Sequence, residues 1–108
     1  GDKITPLHLA ARSQDPDLVK LLLEHGADVD AIDCNQRTPL GQVSLKLNGS
    51  PKIAKLLLDR GATVETSDWS GMTPLHAACQ NGNVEIFRQL IEKGANVKAQ
   101  DEIGETPL

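Results

Sequence analysis

A Thr-Pro-Leu triplet begins at Thr5, Thr38, Thr73 and Thr106, so the chain repeats itself in steps of 33, 35 and 33 residues. A second marker keeps pace with the first. Leu21-Leu22-Leu23, Leu56-Leu57-Leu58 and Gln89-Leu90-Ile91 precede Gly26-Ala27, Gly61-Ala62 and Gly94-Ala95. Two markers that recur together, 16, 18 and 16 residues apart, define a structural unit, and a unit this short buries its apolar side only by stacking on the next.

The residues within each unit describe two short helices. Thr5 is a good N-cap, because its hydroxyl accepts from a free backbone N–H of the first turn. Pro6 follows at the first helical position, where its missing N–H costs nothing. Leu7, Ala10 and Ala11 then fall on one face, and the two alanines let a neighbouring helix approach closely. Asp15-Pro16 opens a second helix with Leu18, Val19, Leu22 and Leu23 predicted inward. Gly26 ends it in the manner of a left-handed C-terminal cap, and His25 lies near the negative end of the helix dipole. The stretch 27–33 is a turn-rich connector to the next triplet. Repeat 3 reads the same way: Thr73-Pro74 opens one helix, Asn83 caps the other, and Ile86, Phe87, Leu90 and Ile91 form its apolar stripe. Gln89 aligns with Leu21 and Leu56, which marks that position as partly exposed.

Composition agrees. Aromatic residues are 2% of the chain, with one Trp, one Phe and no Tyr, so a core has to come from Leu, Ala, Val and Ile. That favours thin, closely stacked helices over a sandwich or barrel. The net charge is -4 and no basic run occurs, which argues against a nucleic-acid partner. No apolar stretch comes near the roughly 20 residues that span a bilayer, so no membrane insertion is expected. Two cysteines without metal-type spacing point to a reducing compartment, and so to an intracellular site, cytoplasmic or nuclear.

With these motifs in view, the chain resembles the ankyrin repeat family, whose 33-residue period and T-P-L-H-x-A signature are characteristic. Thr5-Pro6-Leu7-His8-Leu9-Ala10 and Thr73-Pro74-Leu75-His76-Ala77-Ala78 match that signature, as do Gly26-Ala27-Asp28-Val29 and Gly94-Ala95-Asn96-Val97. The lead-in recurs as Asp68, Gly71 and Thr73, and as Asp101, Gly104 and Thr106. The resemblance implies an all-α solenoid of stacked antiparallel helix pairs with projecting β-hairpin fingers. It also implies protein binding through finger tips and a concave face lined by the first helices. The whole chain, 1–108, is then a single domain: repeat 1 at 1–32, truncated at its start, repeat 2 at 33–67, repeat 3 at 68–100 and a partial fourth at 101–108. Such an arrangement is expected of a monomeric segment excised from a longer array.

Repeat 2 departs from the pattern. Gly41 stands where the signature has His, and a mid-helix Gly costs about 1 kcal/mol relative to Ala. Gln36 replaces the lead-in Gly. Two extra residues fall within 45–50, so either the first helix is longer or the inter-helix loop is enlarged. This repeat is expected to be the softest.

Constellations that imitate chemistry have plainer readings. His8 and His76 occupy one repeat position and are structural rather than ligands. Asp28, Asp30 and Asp33 lack the Gly and distal Glu of a calcium loop and suit turns. Asn48-Gly49-Ser50 is a glycosylation sequon only by pattern. Cys79 aligns with Ala11 and is predicted to be buried, and Cys34 to be exposed at a finger. An Asn in the family's hydroxylation position is absent, since Asp30, Glu65 and Lys98 stand there. No nucleophile or phosphate-cradling motif occurs, so neither catalysis nor a cofactor or metal is expected.

The residue to single out is Trp69, at a variable finger position where the repeat framework asks for no aromatic. Large rigid rings are enriched at binding hot spots; the alternative is a ring folded back on a neighbouring finger. Aligned variable positions complete the candidate surface: Ile32, Cys34, Asn35, Arg37, Ser70, Met72, Glu102 and Ile103 at fingers, and Arg12, Lys46, Gln80 and Asn81 on first helices. Asn35, Arg37, Trp69 and Met72 would form a mixed aromatic, thioether and cationic patch, suited to a peptide or loop with apolar anchors and some acidic character. The expected function is a protein-interaction module; a structural or regulatory spacer acting on another domain of a larger parent is the alternative.

Overall fold

The computed structural model describes residues 4–97, and these form six α-helices: α1 (Pro6–Ser13), α2 (Pro16–Glu24), α3 (Pro39–Leu45), α4 (Pro51–Asp59), α5 (Pro74–Gln80) and α6 (Val84–Glu92). The helix starts follow from their caps. Side-chain oxygens of Thr5, Asp15, Thr38, Ser50 and Thr73 each accept the backbone N–H three residues on, and each of these residues precedes a proline. A cap oxygen satisfies an otherwise orphaned donor, and proline at the first position gives up none that was needed. The second helices end at Gly26, Gly61 and Gly94, whose φ of 86°, 83° and 93° lie in the left-handed region that glycine tolerates.

The helices stack in two tiers. In one tier α3 packs between α1 and α5, in the other α4 packs between α2 and α6, and each first helix also packs on its own second helix. Leu7, Leu40 and Leu75 occupy one repeat position and are all buried, as are Ile53 and Ile86, while Ala10, Ala11, Ala54 and Ala78 keep the contacts short. Hydrogen bonds tie each repeat to the next. Asp30 accepts from the Thr63 N–H and hydroxyl at 2.9 and 2.8 Å, Glu65 accepts from the Asn96 N–H at 2.7 Å, and Arg60 donates to the Leu23 carbonyl at 3.2 Å.

Several expectations need correction. Leu18 is exposed, whereas its repeat equivalents Ile53 and Ile86 are fully buried, because those two are covered by the helix pair before them. Cys79 is exposed, not buried, and Phe87 and Ile91 are only half-buried. All three belong to α5 and α6, and among the described residues no further helix pair covers them as α3 covers Ala11. Asn83 heads α6 without capping it through its side chain. The extra residues of repeat 2 do not lengthen its first helix: α3 has 7 residues, the same as α5. They enlarge the loop instead, with Lys46 extended and Asn48 left-handed at φ 57°. Among the described residues the fingers are tight turns without assigned strands.

The loss of the signature His has a visible consequence. In α1 the His8 Nδ1 accepts from the Thr5 N–H at 3.1 Å, so Nε2 carries the proton and donates to the Arg37 carbonyl, 2.8 Å away on the next finger. In α3 only the Thr38 cap remains, accepting from the Gly41 N–H at 3.1 Å. A side chain has room there, since a Cβ on Gly41 would meet only Thr38 Oγ1 at 3.6 Å and Arg37 Cβ at 3.9 Å. A narrow cleft lined by Leu45, Thr66, Met72 and Ala77 continues from that point. Gly41→His is therefore expected to raise stability by about 0.3 kcal/mol through helix propensity alone, and by more if the ring bonds as His8 does, with slower amide exchange in α3. A lowered denaturation midpoint would contradict this account.

Candidate functional site

Two buried carboxylates build the fingers. Asp33 Oδ1 accepts from the N–H groups of Asn35 and Arg37 at 2.8 and 3.0 Å, and Oδ2 accepts from Gln42 Nε2 at 2.6 Å. The loop closes through the Asp33 N–H to the Arg37 carbonyl at 3.0 Å. The next finger repeats the device. Asp68 Oδ1 accepts from the Ser70 N–H, the Ser70 hydroxyl and the Met72 N–H at 2.9, 2.7 and 3.1 Å, and the Asp68 N–H donates to the Met72 carbonyl at 2.9 Å. Gln36 takes φ 60° where Gly71 takes 83°, so the glutamine holds the left-handed corner that the lead-in glycine normally supplies.

The two fingers are joined. Arg37 Nε lies 3.3 Å from Asp68 Oδ2, and the Trp69 N–H donates to the Asn35 carbonyl at 3.1 Å. Burial pushes the carboxyl pKa of Asp68 up, but the hydrogen bonds from Ser70, Met72 and Arg37 outweigh it and hold the group below its ordinary value. Asp33 follows the same pattern, with burial opposed by donors from Arg37, Asn35 and Gln42. A carboxyl depressed in the fold stabilises it above the ordinary carboxylate range and ceases to do so as pH falls through the lowered value. Finger stability is accordingly expected to hold at neutral pH and to decline below about pH 4, measured by the midpoint of denaturant unfolding across an acid series.

On this frame the predicted positions divide. Trp69 is 62% exposed, with Ile32, Cys34 and Asn35 also exposed and Ser70 half-buried. Arg37 and Met72 are half-buried and line the cleft beside Gly41, so the cation of the predicted patch is already engaged by Asp68. On the first-helix side Arg12, Lys46 and Gln80 are exposed. Asn81 is spent on structure: its Nδ2 donates to the Leu45 and Ala77 carbonyls at 2.9 and 3.1 Å. Glu102 and Ile103 lie outside the described residues. Sequence reasoning missed Gln42, which anchors the first finger, and the exposed Leu47 and Val84. The insertion in repeat 2 marked the neighbourhood of Leu47; nothing in the sequence marked Gln42, whose partner is 9 residues away. Among the described residues no cluster of His, Cys, Asp and Glu is arranged to hold a metal ion, and no helix is long and apolar enough to cross a membrane.

Capped helix pairs in two tiers, with carboxylate-closed turns projecting between them, define a helical repeat scaffold. A family profile of three ankyrin repeats matches residues 1–68 and 46–108, and the chain belongs to the ankyrin repeat family. An ankyrin repeat protein of Fowlpox virus (strain NVSL) is 47% identical over 36 residues, covering 33% of this chain and 19% of that protein. The transient receptor potential cation channel subfamily A member 1 of Drosophila melanogaster is 47% identical over 38 residues, covering 35% of this chain and 3% of the channel. The likeness thus spans about one repeat of each relative and a small part of its length. Ankyrin repeats are in general protein-interaction modules.

Proposed function

We propose that the chain binds a partner protein or peptide through its adjacent finger tips, with Trp69 as the principal anchor and Ile32, Cys34, Asn35 and Ser70 around it. The observation that carries this reading is the contrast between a rigid backbone and an open ring. The Trp69 N–H is pinned to the Asn35 carbonyl at 3.1 Å, its neighbour Asp68 is held by four donors, and yet the indole is 62% exposed. A preformed aromatic anchor loses little conformational freedom on binding, so more of the contact energy remains as affinity. Arg12, Lys46 and Gln80 on the first-helix side extend the surface, and Arg12 and Lys46 add positive charge, which suits a segment with apolar and acidic side chains. No catalytic role is assigned to any residue.

A photo-crosslinking amino acid at Ser70 captures whatever occupies the finger tips, and Trp69→Ala then tests the anchor. Loss of at least about tenfold in affinity for the captured protein is expected, the size of a moderate hot spot. Unchanged affinity would remove Trp69 from the interface. Crosslinks confined to other parts of a longer parent chain would favour a spacer that acts in cis.

A further inference from the structure

The cleft beside Gly41 carries polar groups that the finger-tip reading does not use. Thr5, Thr38 and Thr73 share one backbone conformation, with φ and ψ of -103° and 164°, -87° and 167°, and -87° and 166°. In each the hydroxyl accepts from the backbone N–H three residues on. Their own N–H groups therefore aim alike, yet only two of them meet a ring. The Thr5 N–H donates to His8 Nδ1 at 3.1 Å and the Thr73 N–H to His76 Nδ1 at 3.3 Å. Thr38 is 2% exposed, and among the described residues no acceptor meets its N–H. An unpaired buried donor is rare and costly. The far side of the cleft mirrors this. The Arg37 carbonyl accepts from both the Asp33 N–H and His8 Nε2, at 3.0 and 2.8 Å. Met72 is the repeat equivalent of Arg37, and its carbonyl accepts only from the Asp68 N–H, at 2.9 Å, among the described residues.

Thr38, Gly41 and Met72 all line this cleft, and the apolar Leu45 and Ala77 complete its walls. Its two charged residues, Arg37 and Asp68, neutralise one another at 3.3 Å, so the lining favours a neutral ligand over an ion. We infer that the cleft is a binding site for a small neutral azole, a planar five-membered ring whose acceptor nitrogen takes the Thr38 N–H and whose N–H donates to the Met72 carbonyl. Such a ring restores to repeat 2 the two hydrogen bonds that His8 makes in repeat 1. As it stands the cleft has about 10 Å³ of room, enough for one water. A ring needs more, and the unbranched, half-buried Met72 is the part of the lining most able to give way.

Imidazole is the probe, titrated into the isotope-labelled chain and followed by NMR at a pH where the ligand is neutral. The expected result is saturable binding with a dissociation constant on the order of millimolar. The largest amide shift changes fall on Thr38, Gly41 and Met72, and the unfolding midpoint rises with ligand concentration. 1-Methylimidazole keeps the acceptor but has no N–H, and binds at least about tenfold more weakly. Gly41→His supplies the ring covalently and abolishes the response, while Trp69→Ala leaves it unchanged. Binding by N-acetylhistidine methylamide as well would make a partner's histidine a source of the ring, and binding by free imidazole alone would restrict the site to small molecules; either outcome supports the site. The proposal is overturned by the lack of a saturable response at Thr38 and Met72, by equal binding of 1-methylimidazole, or by a response that survives Gly41→His. A long-lived water detected at the Thr38 amide that imidazole does not displace would show a water site only and would equally overturn it. Loss of the finger-tip interaction leaves this test unaffected, so the two readings fail separately.

Discussion

Gly49→Ala is expected to destabilise the chain by about 3 kcal/mol, at the upper end of what an overpacked site costs. The reason is space, not backbone dihedral. A Cβ at this position would collide with the Val43 carbonyl oxygen and sit 3.2 Å from both Ile86 Cδ1 and the Lys46 carbonyl oxygen. Two of those three atoms are backbone, at the end of α3, and cannot swing aside as a side chain tip would. Relief requires the loop to lift away, which would also pull the Ser44 and Lys46 carbonyls from Asn83. Gly61→Ala is the matching control. Nothing lies within 4 Å of a Cβ there, so only its φ of 83° is penalised, at about 1 kcal/mol. Urea unfolding of the two variants separates the causes. Equal losses would mean that the loop does not pack on α3 and α6 as described.

Asp68→Ala is expected to cost a comparable amount, about 3 kcal/mol, because it strands several donors and one charge at once. The Ser70 N–H, the Met72 N–H and the Arg37 guanidinium all turn on this one side chain, which is 6% exposed. Asp68→Asn should cost less, since an amide oxygen can still accept from the turn, but its NH2 would face Arg37. Two readouts check the assignment. The unfolding midpoint should rise in the order alanine, asparagine, native, and the acid decline of stability should flatten in part in both variants, because one of the two carboxyls whose depressed pKa produces it is gone. A variant that kept the full acid dependence would remove Asp68 from it and leave Asp33 as its source. Trp69 emission should also shift, since its backbone is held by the same turn.

Much of the fold was legible because its determinants are local. A threonine or serine before a proline starts a helix, a glycine ends it, and both signals act within one turn of the residues that carry them. The burial pattern was harder, because burial depends on what lies across from a residue. Leu18 and Ile53 have the same place in the repeat and similar chemistry, yet one is exposed and the other buried. Cys79 and Ala11 differ in the same way. In the candidate site the exposed positions Ile32, Cys34, Asn35 and Trp69 could be read from repeat alignment, since they fall where the framework makes no demand. The engagement of Arg37 by Asp68 could not, since those residues stand 31 apart and meet only when two fingers lie side by side.

The sequence by itself determined the repeat, the helix pairs, their caps and the turn chemistry of the fingers, because each depends on residues a few positions apart. The tertiary structure alone decided which apolar faces are covered, how neighbouring fingers share one carboxylate, and that two inserted residues become a fastened loop instead of a longer helix. The physical reason shows in Asn83: its amide NH2 donates to the Ser44 and Lys46 carbonyls at the end of α3, and only the stacking of repeats brings those acceptors within 3.0 Å.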